Sequence, residues 1–304
     1  MTTNEMPLSG LRLGVLGKGG SGKSTATVLL ANALLERGYT VLVLDADSTN
    51  VGLARALGLA RDPDPLLDHF GGMVFSGGLV TCPVDDPTPL PGAEVTLDDL
   101  PPRFVGRRDG LVLLVAGKIG DLGPGAGCDG PIAKIARDLV VDDFGPAPVT
   151  LVDFKAGFED SARGALTSLN QAIAVVDPTV AATQMAIHLS RMVTKIRQGA
   201  PPATQHLDRV DLVEMAIRRF RESRVEGVVA LLNRIGDPST EAYLRVALDD
   251  AGVPVAGTLR KDPSIEKQWL RGDRVGTEAL AKDTVAVVDA LESAVGEARR
   301  LQTA

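Results

Sequence analysis

The residues with the clearest chemistry lie in one glycine-rich run, GKGGSGKST, at positions 17–25. The run fits the pattern G-x-x-x-x-G-K-[ST], with Gly17, Gly22, Lys23 and Ser24 at the fixed positions. A loop of this kind wraps its backbone N–H groups around a phosphate, and the helix that begins there directs its positive end at the same anion. We therefore expect Lys23 to reach the β- and γ-phosphates of a nucleotide and the Ser24 hydroxyl to bind Mg²⁺.

The predicted phosphate contacts extend along the whole loop. They are Gly17, Lys18, Gly19, Gly20, Ser21, Gly22, Lys23, Ser24 and Thr25. Thr25 directly follows the predicted magnesium residue and is expected to bond the α-phosphate. Lys18 is an addition to the pattern, because an ordinary phosphate-binding loop needs no lysine directly after its first glycine. Its presence needs a separate explanation.

Two acidic segments follow predicted strands and supply candidate carboxylates. LDADSTN ends one strand with Asp45 and Asp47, and VTLVDFKAG ends another with Asp153. Since ligands of parallel α/β sheets bind beyond the carboxyl ends of the strands, we expect these carboxylates near the loop. Asp153 fits the aspartate that holds Mg²⁺ directly or through water, and Asp47 is a second candidate for the magnesium shell. Asp45 is interpreted as a strand-end cap.

The elements that must position these residues alternate between apolar strands and helices. Strands are predicted at 11–17, 40–45, 111–117, 149–153, 172–177, 225–233 and 253–259, and helices at 23–37, 50–58, 131–140, 160–170, 180–197, 207–222, 238–250 and 280–300. The strands are almost continuously apolar, which is typical of strands covered on both faces in a parallel sheet. The pattern predicts an α/β fold with a doubly wound, mainly parallel sheet and helices on both faces.

Composition restricts the kind of protein. The chain has 304 residues, and we expect a single domain over 1–304 with a Pro- and Asp-rich insertion at about 61–110. The net charge of −7 argues against a general nucleic-acid binder. We find no secretory signal and no apolar run that approaches the roughly 18 residues of a membrane span. Two cysteines, Cys82 and Cys128, do not support a disulfide framework, so we expect reduced thiols and a cytoplasmic protein. From the charge and the missing apolar run we expect no binding to nucleic acid or membrane.

The run K-G-G-x-G-K-[ST] resembles the deviant Walker A motif of the MinD/ParA family of ATPases, which includes the nitrogenase iron protein and the arsenite-pump ATPases. The resemblance implies a P-loop fold and a homodimer that binds and hydrolyses ATP with Mg²⁺. It implies that Lys18 crosses the dimer interface to the partner's nucleotide and stabilises the phosphates as charge develops. It also implies that Asp47 positions or deprotonates the attacking water and that Asn233, in LLNRI, reads the edge of adenine. With Lys23, Lys18 and Asp47 form the predicted catalytic set.

A second resemblance concerns the segments GPGAGCDGPIAKIARDL and AGFEDSARG, which are similar to the CooC-type ATPases. These are accessory proteins that help insert nickel into carbon monoxide dehydrogenase. The resemblance implies a metalloenzyme client and a nickel or zinc ion that bridges two subunits at Cys128. The branch usually carries C-x-C-P here, whereas this chain has Gly130 at the second cysteine. At the second cysteine of the nitrogenase iron protein it has Asp160.

Two interpretations of Cys128 therefore stay open. Two Cys128 thiolates and two Asp129 carboxylates from a symmetric dimer are one possible ligand set for a divalent metal. A small residue close to the dimer axis is the other. Lys155, after the predicted magnesium aspartate, is expected to point into solvent, with a place near the phosphates as the alternative.

The sequence leaves three functions open. The first is an ATP-driven dimeric switch that serves a metalloenzyme. The second is a MinD/ParA-type positioning or partition ATPase that acts on membrane or DNA, although the C-terminal stretch is predicted to be a packing helix and not a membrane anchor. The third is a scaffold that binds nucleotide without hydrolysis, and Lys155 is the feature that favours it.

Overall fold

The computed structural model describes residues 6–72, 86–118, 129–145, 147–157, 164–205 and 207–303. In chain order, the strands are β1 (Arg12–Gly17), β2 (Val41–Ala46), β3 (Glu94–Val95), β4 (Gly106–Arg108), β5 (Leu111–Val115), β6 (Val140–Val141), β7 (Val149–Phe154), β8 (Gln171–Val176), β9 (Gly227–Ile235) and β10 (Val255–Arg260). The main sheet has the order β10-β9-β8-β1-β7-β2-β5-β4, and all of its pairs are parallel except β4 with β5. Strands β3 and β6 pair separately.

Helices cover both faces of the main sheet. They are α1 (Lys23–Glu36), α2 (Leu53–Ala56), α3 (Leu66–His69), α4 (Gly130–Asp138), α5 (Val180–Arg197), α6 (Val210–Arg221), α7 (Pro238–Asp249), α8 (Pro263–Arg271) and α9 (Ala281–Thr303). One core contains side chains of α3, α4, α5 and α7, and the other contains side chains of α1, α2, α8 and α9. This arrangement confirms the predicted doubly wound fold.

The continuous apolar character of the strands has a direct structural cause. In β2, Leu42 and Leu44 enter the core on the α4 side, whereas Val41 and Val43 enter the core on the α1 side. Successive side chains of a strand point to opposite faces, so a strand covered on both sides needs apolar residues at every position. In β2 and β7 the first charged residues, Asp45 and Asp153, lie near the carboxyl end of the strand.

Several elements differ from the prediction. The helix predicted at 50–58 is only the single turn α2, and the described part of the helix predicted at 160–170 is a 3₁₀ turn at Ala165–Ser168. Helix α8 was not predicted. It begins with Asp262, whose side chain accepts a hydrogen bond from the Ser264 N–H at 2.8 Å, and with proline at its first position. This D-P-S start was visible in the sequence.

The described part of the predicted insertion packs on the main sheet. Leu90, Leu100 and Phe104 are buried in the core on the α4 side. An ion pair fixes this segment to α4, because Lys134 Nζ lies 2.7 Å from Asp86 Oδ2 and both side chains are at most 2% exposed. Among the helices of the described residues, none combines the length and apolar character needed to cross a membrane.

The buried ion pair gives a test of this packing. Lys134→Met leaves the Asp86 carboxylate buried without its cation, and the free energy of unfolding should fall by about 3 kcal/mol, measured by urea denaturation. Lys282→Met, at an exposed position, is the control and should change little. The double variant Lys134→Met/Asp86→Leu should recover much of the loss, and an equal loss in the single and double variants would contradict a role for the charge.

Candidate functional site

The glycine-rich loop joins the end of β1 to the start of α1. Gly20 and Gly22 have φ angles of 82° and 89°, a left-handed conformation that favours glycine. A Cβ at Gly22 would also collide with the side-chain amide of Asn233. No side chain of the described residues caps the N-terminus of α1, and no acidic residue occupies its first turn. The helix therefore presents its first N–H groups to the loop, which is the arrangement that binds an anion.

Lys23 is the cation inside the loop. It is 6% exposed, and its Nζ donates to the Lys18 carbonyl oxygen over a long 3.4 Å. Burial lowers the pKa of Lys23, while the charges of Asp153 and Asp47 act in the opposite direction. An ammonium group carries three donors, so Lys23 can bond phosphate oxygens and keep its carbonyl contact.

Ser24, Asn50 and Asp153 form a hydrogen-bonded group beside the loop. Asn50 Nδ2 donates to Ser24 Oγ at 2.9 Å and lies 3.5 Å from Asp153 Oδ2, and Ser24 also hydrogen-bonds to Asp153. Asp153 is fully buried, and within the described residues its Oδ1 has no hydrogen-bond partner. A buried carboxylate oxygen next to a serine hydroxyl fits Mg²⁺, which takes one or two protein carboxylates together with phosphates and water.

Two buried carboxylates lie side by side next to this group. Asp45 and Asp153 are register partners on the paired strands β2 and β7. Burial raises the pKa of Asp153 to about 7, and the charge of Asp45 adds to the shift. Burial also raises the pKa of Asp45 to about 6, against the opposing charge of Lys118, whose Nζ lies 2.7 Å from Asp45 Oδ2. A divalent cation at Asp153 would relieve the repulsion between the two carboxylates.

Asp47 follows Asp45 and lines the cleft beside the loop. Its Oδ1 accepts hydrogen bonds from the Thr49 N–H at 2.9 Å and from Thr49 Oγ1 at 2.7 Å. Lys118 Nζ also donates to the Asp47 carbonyl oxygen at 2.6 Å. The segment after β2 is thus held by its own turn and by a lysine from the end of β5. The catalytic role of Asp47 stays a prediction.

The cleft has a volume of about 500 Å³. Its lining includes the polar and charged residues Lys23, Ser24, Thr25, Asp47, Asn50, Arg234, Arg260, Lys261, Asp262 and Glu266, and the apolar residues Leu29, Ile265, Trp269 and Leu280. Asn233, 4% exposed, also lines it and donates from Nδ2 to the Ser21 carbonyl oxygen at 2.8 Å. Neighbouring Arg234 donates to the Gly20 carbonyl oxygen at 2.7 Å. The end of β9 is therefore bonded directly to the phosphate-binding loop.

Lys155 does not point freely into solvent, so that expectation is wrong. Its Nζ lies 2.5 Å from Asp129 Oδ2, and its side chain is 27% exposed. The other carboxylate oxygen, Asp129 Oδ1, accepts a hydrogen bond from Ser48 Oγ at 2.5 Å. Both oxygens of Asp129 are thus engaged, which argues against the predicted use of Asp129 as a metal ligand. One carboxylate joins the segments that follow β2 and β7 to the start of α4.

The other predicted site residues do not line the cleft or lie outside the described residues. Lys18 is half-buried on the loop, and it is not among the described residues that line the cleft. Its role across a dimer stays a prediction. Cys128, Cys82 and Asp160 lie outside the described residues. Within the described ranges, no group of three or more His, Cys, Asp or Glu side chains is arranged to hold a metal ion.

The sequence analysis missed Asn50, Lys118 and Trp269. Asn50 follows Asp45 and Asp47 in LDADSTN, so an amide after two strand-end carboxylates was the available signal. Lys118 likewise follows the carboxyl end of an apolar strand, β5. Trp269 gave no local signal, because it reaches the cleft through the unpredicted helix α8.

A mainly parallel sheet, a glycine-rich loop between its central strand and a helix, and an acidic residue at the end of the neighbouring strand define a P-loop nucleotide-binding protein. The family comparison agrees with this class. The model of the CobQ/CobB/MinD/ParA nucleotide-binding domain matches residues 15–275, and the chain belongs to that family.

Several relatives and solved structures are similar to this chain. An uncharacterised ATP-binding protein of Methanocaldococcus jannaschii is 32% identical over 188 residues, 61% of this chain and 73% of that protein. The carbon monoxide dehydrogenase accessory protein CooC of Rhodospirillum rubrum is 28% identical over 180 residues, 59% of this chain and 67% of CooC. The cell division ATPase MinD of Pyrococcus furiosus has a TM-score of 0.57 at 20% identity, covering 93% of this chain and 99% of MinD. MinD of Pyrococcus horikoshii, solved with Mg-ADP, has a TM-score of 0.54 at 20% identity, covering 96% of each chain. These structures support the fold.

The raised pKa of Asp153 predicts how stability depends on pH. Folding raises this pKa from its ordinary value of 3.8 to about 7, so the folded protein loses stability as pH rises between those values. Asp153→Asn should therefore melt at a higher temperature than the wild type without nucleotide or metal, with a gain that grows from about pH 5 to about pH 8. Asp208→Asn, at an exposed position, is the control for the thermal melts. A gain that stays constant with pH would refute the link to ionisation.

Proposed function

We propose that this protein is a Mg²⁺-dependent ATPase that works as a homodimeric switch. The observation that carries the proposal is the Asp153 Oδ1 beside Ser24, which has no hydrogen-bond partner among the described residues, at a start of α1 that none of their side chains caps. A metal ligand and a phosphate site thus lie next to each other. Membership of a nucleotide-binding family and the Mg-ADP bound to one structural neighbour support the same ligands.

The residues of the site have separate roles in the proposed hydrolysis. Lys23 and the N–H groups of the loop bind the β- and γ-phosphates, and Ser24 and Asp153 hold Mg²⁺. When bound, Mg²⁺ supplies positive charge that neutralises the oxygens of the transferred phosphoryl group. Asp47 orients a water for attack on the γ-phosphorus and accepts its proton. This requires the Asp47 carboxylate to leave its turn with Thr49 or to act through its second oxygen.

Asn233 supports ATP over GTP. Its Nδ2 is committed to the Ser21 carbonyl, so the side chain offers its oxygen to a base. An acceptor matches the exocyclic amino group of adenine and repels the carbonyl oxygen that guanine carries at the same position. The same hydrogen bond keeps the reading oxygen at a fixed place relative to the loop.

We also propose that the switch serves a metalloenzyme. The similarity to CooC supports this role, and so does the position of Asp129, which follows Cys128 and contacts Ser48 and Lys155 from the two acidic segments. The predicted nickel or zinc ion would be held by the two Cys128 thiolates of a dimer, without Asp129. A positioning or partition ATPase is the alternative within the same family, and pelleting with liposomes or DNA in the presence of ATP would favour it.

The proposed role of Lys18 leads to a prediction about turnover. Lys18→Ala should reduce ATP hydrolysis by about 10³-fold, because it removes the cation that stabilises the transition state, and should leave ATP binding intact. Phosphate release and calorimetric titration measure the two quantities. Lys267→Ala, at an exposed position, is the matched control. Unchanged turnover in Lys18→Ala would refute the catalytic role.

The client hypothesis leads to a prediction about metal content. The wild-type dimer, purified with nickel or zinc and an ATP analogue, should retain about one ion per two chains, and Cys128→Ser should retain none. Elemental analysis of the two proteins after gel filtration measures this difference. Cys82→Ser is the control for loss of a thiol elsewhere in the chain. Equal metal content in wild type and Cys128→Ser would remove Cys128 as a ligand.

A further inference from the structure

Lys118 contacts the segment after β2 from the end of β5. The two strands pair so that Asp45 lies opposite Val115, and the Ala116 N–H donates to the Asp45 carbonyl oxygen at 2.8 Å. The chain therefore leaves β5 beside the end of β2, and Lys118 comes next but one. Its Nζ lies 2.7 Å from Asp45 Oδ2 and 2.6 Å from the Asp47 carbonyl oxygen. One ammonium group thus bonds both aspartates.

The peptide groups on both sides of the Asp47 Cα are held by these contacts. The Asp47 N–H donates to Asp45 Oδ1 at 3.1 Å, and the Asp47 carbonyl oxygen accepts from Lys118. Each peptide group is planar, so two fixed planes at one Cα fix its φ and ψ angles and the direction of its Cα–Cβ bond. Lys118 and Asp45 therefore determine where the side chain of Asp47 starts and which way it points.

Lys118 and Asp45 also stabilise each other. The Asp45 side chain is 3% exposed, and a carboxylate at such a place is costly without a cation. Lys118 supplies the positive charge through Asp45 Oδ2, which leaves Asp45 Oδ1 for the N–H of Asp47. Loss of the lysine would release the Asp47 carbonyl oxygen directly and weaken the hold on the Asp47 N–H as well.

The orientation of Asp47 matters because this residue lines the cleft beside Lys23 and Ser24. Its Oδ1 is engaged by Thr49, so Oδ2 is the oxygen left to meet a water molecule. We infer that Lys118 and Asp45 are positioning residues for ATP hydrolysis, which place Asp47 Oδ2 so that the carboxylate orients the attacking water without leaving its turn. This rests on the proposed function, because it takes Asp47 as the residue that orients the water.

Loss of Lys118 should reduce turnover without weakening ATP binding. Lys118→Met keeps the apolar stem and removes both hydrogen bonds, so kcat should fall about 10²-fold, the effect of misplacing a catalytic group by roughly 1 Å. The Kd for ATP should stay unchanged, because Lys118 is not among the described residues that line the cleft. Phosphate release and calorimetric titration measure the two quantities. Lys282→Met, at an exposed position, is the matched control.

Three further variants separate positioning from support of the fold. Lys118→Arg keeps a cation with several donors and has room in a neighbouring cavity of about 520 Å³, so it should retain most of the turnover. In an Asp47→Asn background, Lys118→Met should lower kcat no further, since residues that act through one step are not additive. Lys118→Met/Asp45→Asn removes both buried charges, so it should fold even where Lys118→Met does not, with the same loss of kcat.

The outcomes separate this role of Lys118 from the proposed function. Unchanged kcat in Lys118→Met, an equal further loss in the Asp47→Asn background, or a fall in turnover explained by weaker ATP binding would each overturn the positioning role. Asp47→Asn with wild-type kcat would overturn the proposed role of Asp47 and the positioning role with it. Wild-type protein that hydrolyses no ATP would overturn the proposed function itself. Thermal melts check that each variant is folded.

Discussion

The site depends on one constraint, the placement of two buried carboxylates side by side. The parallel register of β2 and β7 sets Asp45 opposite Asp153, and neither side chain reaches solvent. Burial raises the pKa of both carboxyl groups, and the charge of Asp45 raises the pKa of Asp153 further. The fold tolerates the pair because cations lie around it. Lys118 bonds Asp45 and Lys23 lies near Asp153, while Asp153 Oδ1 has no hydrogen-bond partner in the part of the chain that the structure describes.

The polar contacts around the carboxylates join segments that are far apart in sequence. Asn50 links the end of β2 to Ser24 on α1, and Asn233 links the end of β9 to the glycine-rich loop. Asp129 accepts hydrogen bonds from Ser48 and Lys155, so the start of α4 contacts the segments after β2 and β7. A movement of the glycine-rich loop or of Ser24 would therefore disturb hydrogen bonds to the ends of several strands.

The sequence predicted the parts of the site whose chemistry is local. The loop at 17–25 carries its whole pattern in nine consecutive residues, and the parallel strands are marked by apolar runs of about five to nine residues. The contacts that were missed are not local: Lys118 meets Asp45 across 73 positions, and Lys155 meets Asp129 across 26. A lysine after a strand looks the same in sequence whether it faces water or a carboxylate. Only the order of the strands in the sheet decides between the two.

That strand order also determines when the protein can assemble during synthesis. The first two strands of the chain do not pair with each other, because β7 lies between β1 and β2 in the sheet. The ribosome must therefore extend the chain to about residue 154 before β1 gains its first neighbour. Until then β1 is unpaired, and β2 has only β5 as a possible partner and one open edge. Non-local parallel pairing of this kind folds slowly and exposes the nascent chain to aggregation. The strand that leads into the glycine-rich loop thus enters the sheet only after the middle of the chain has been made.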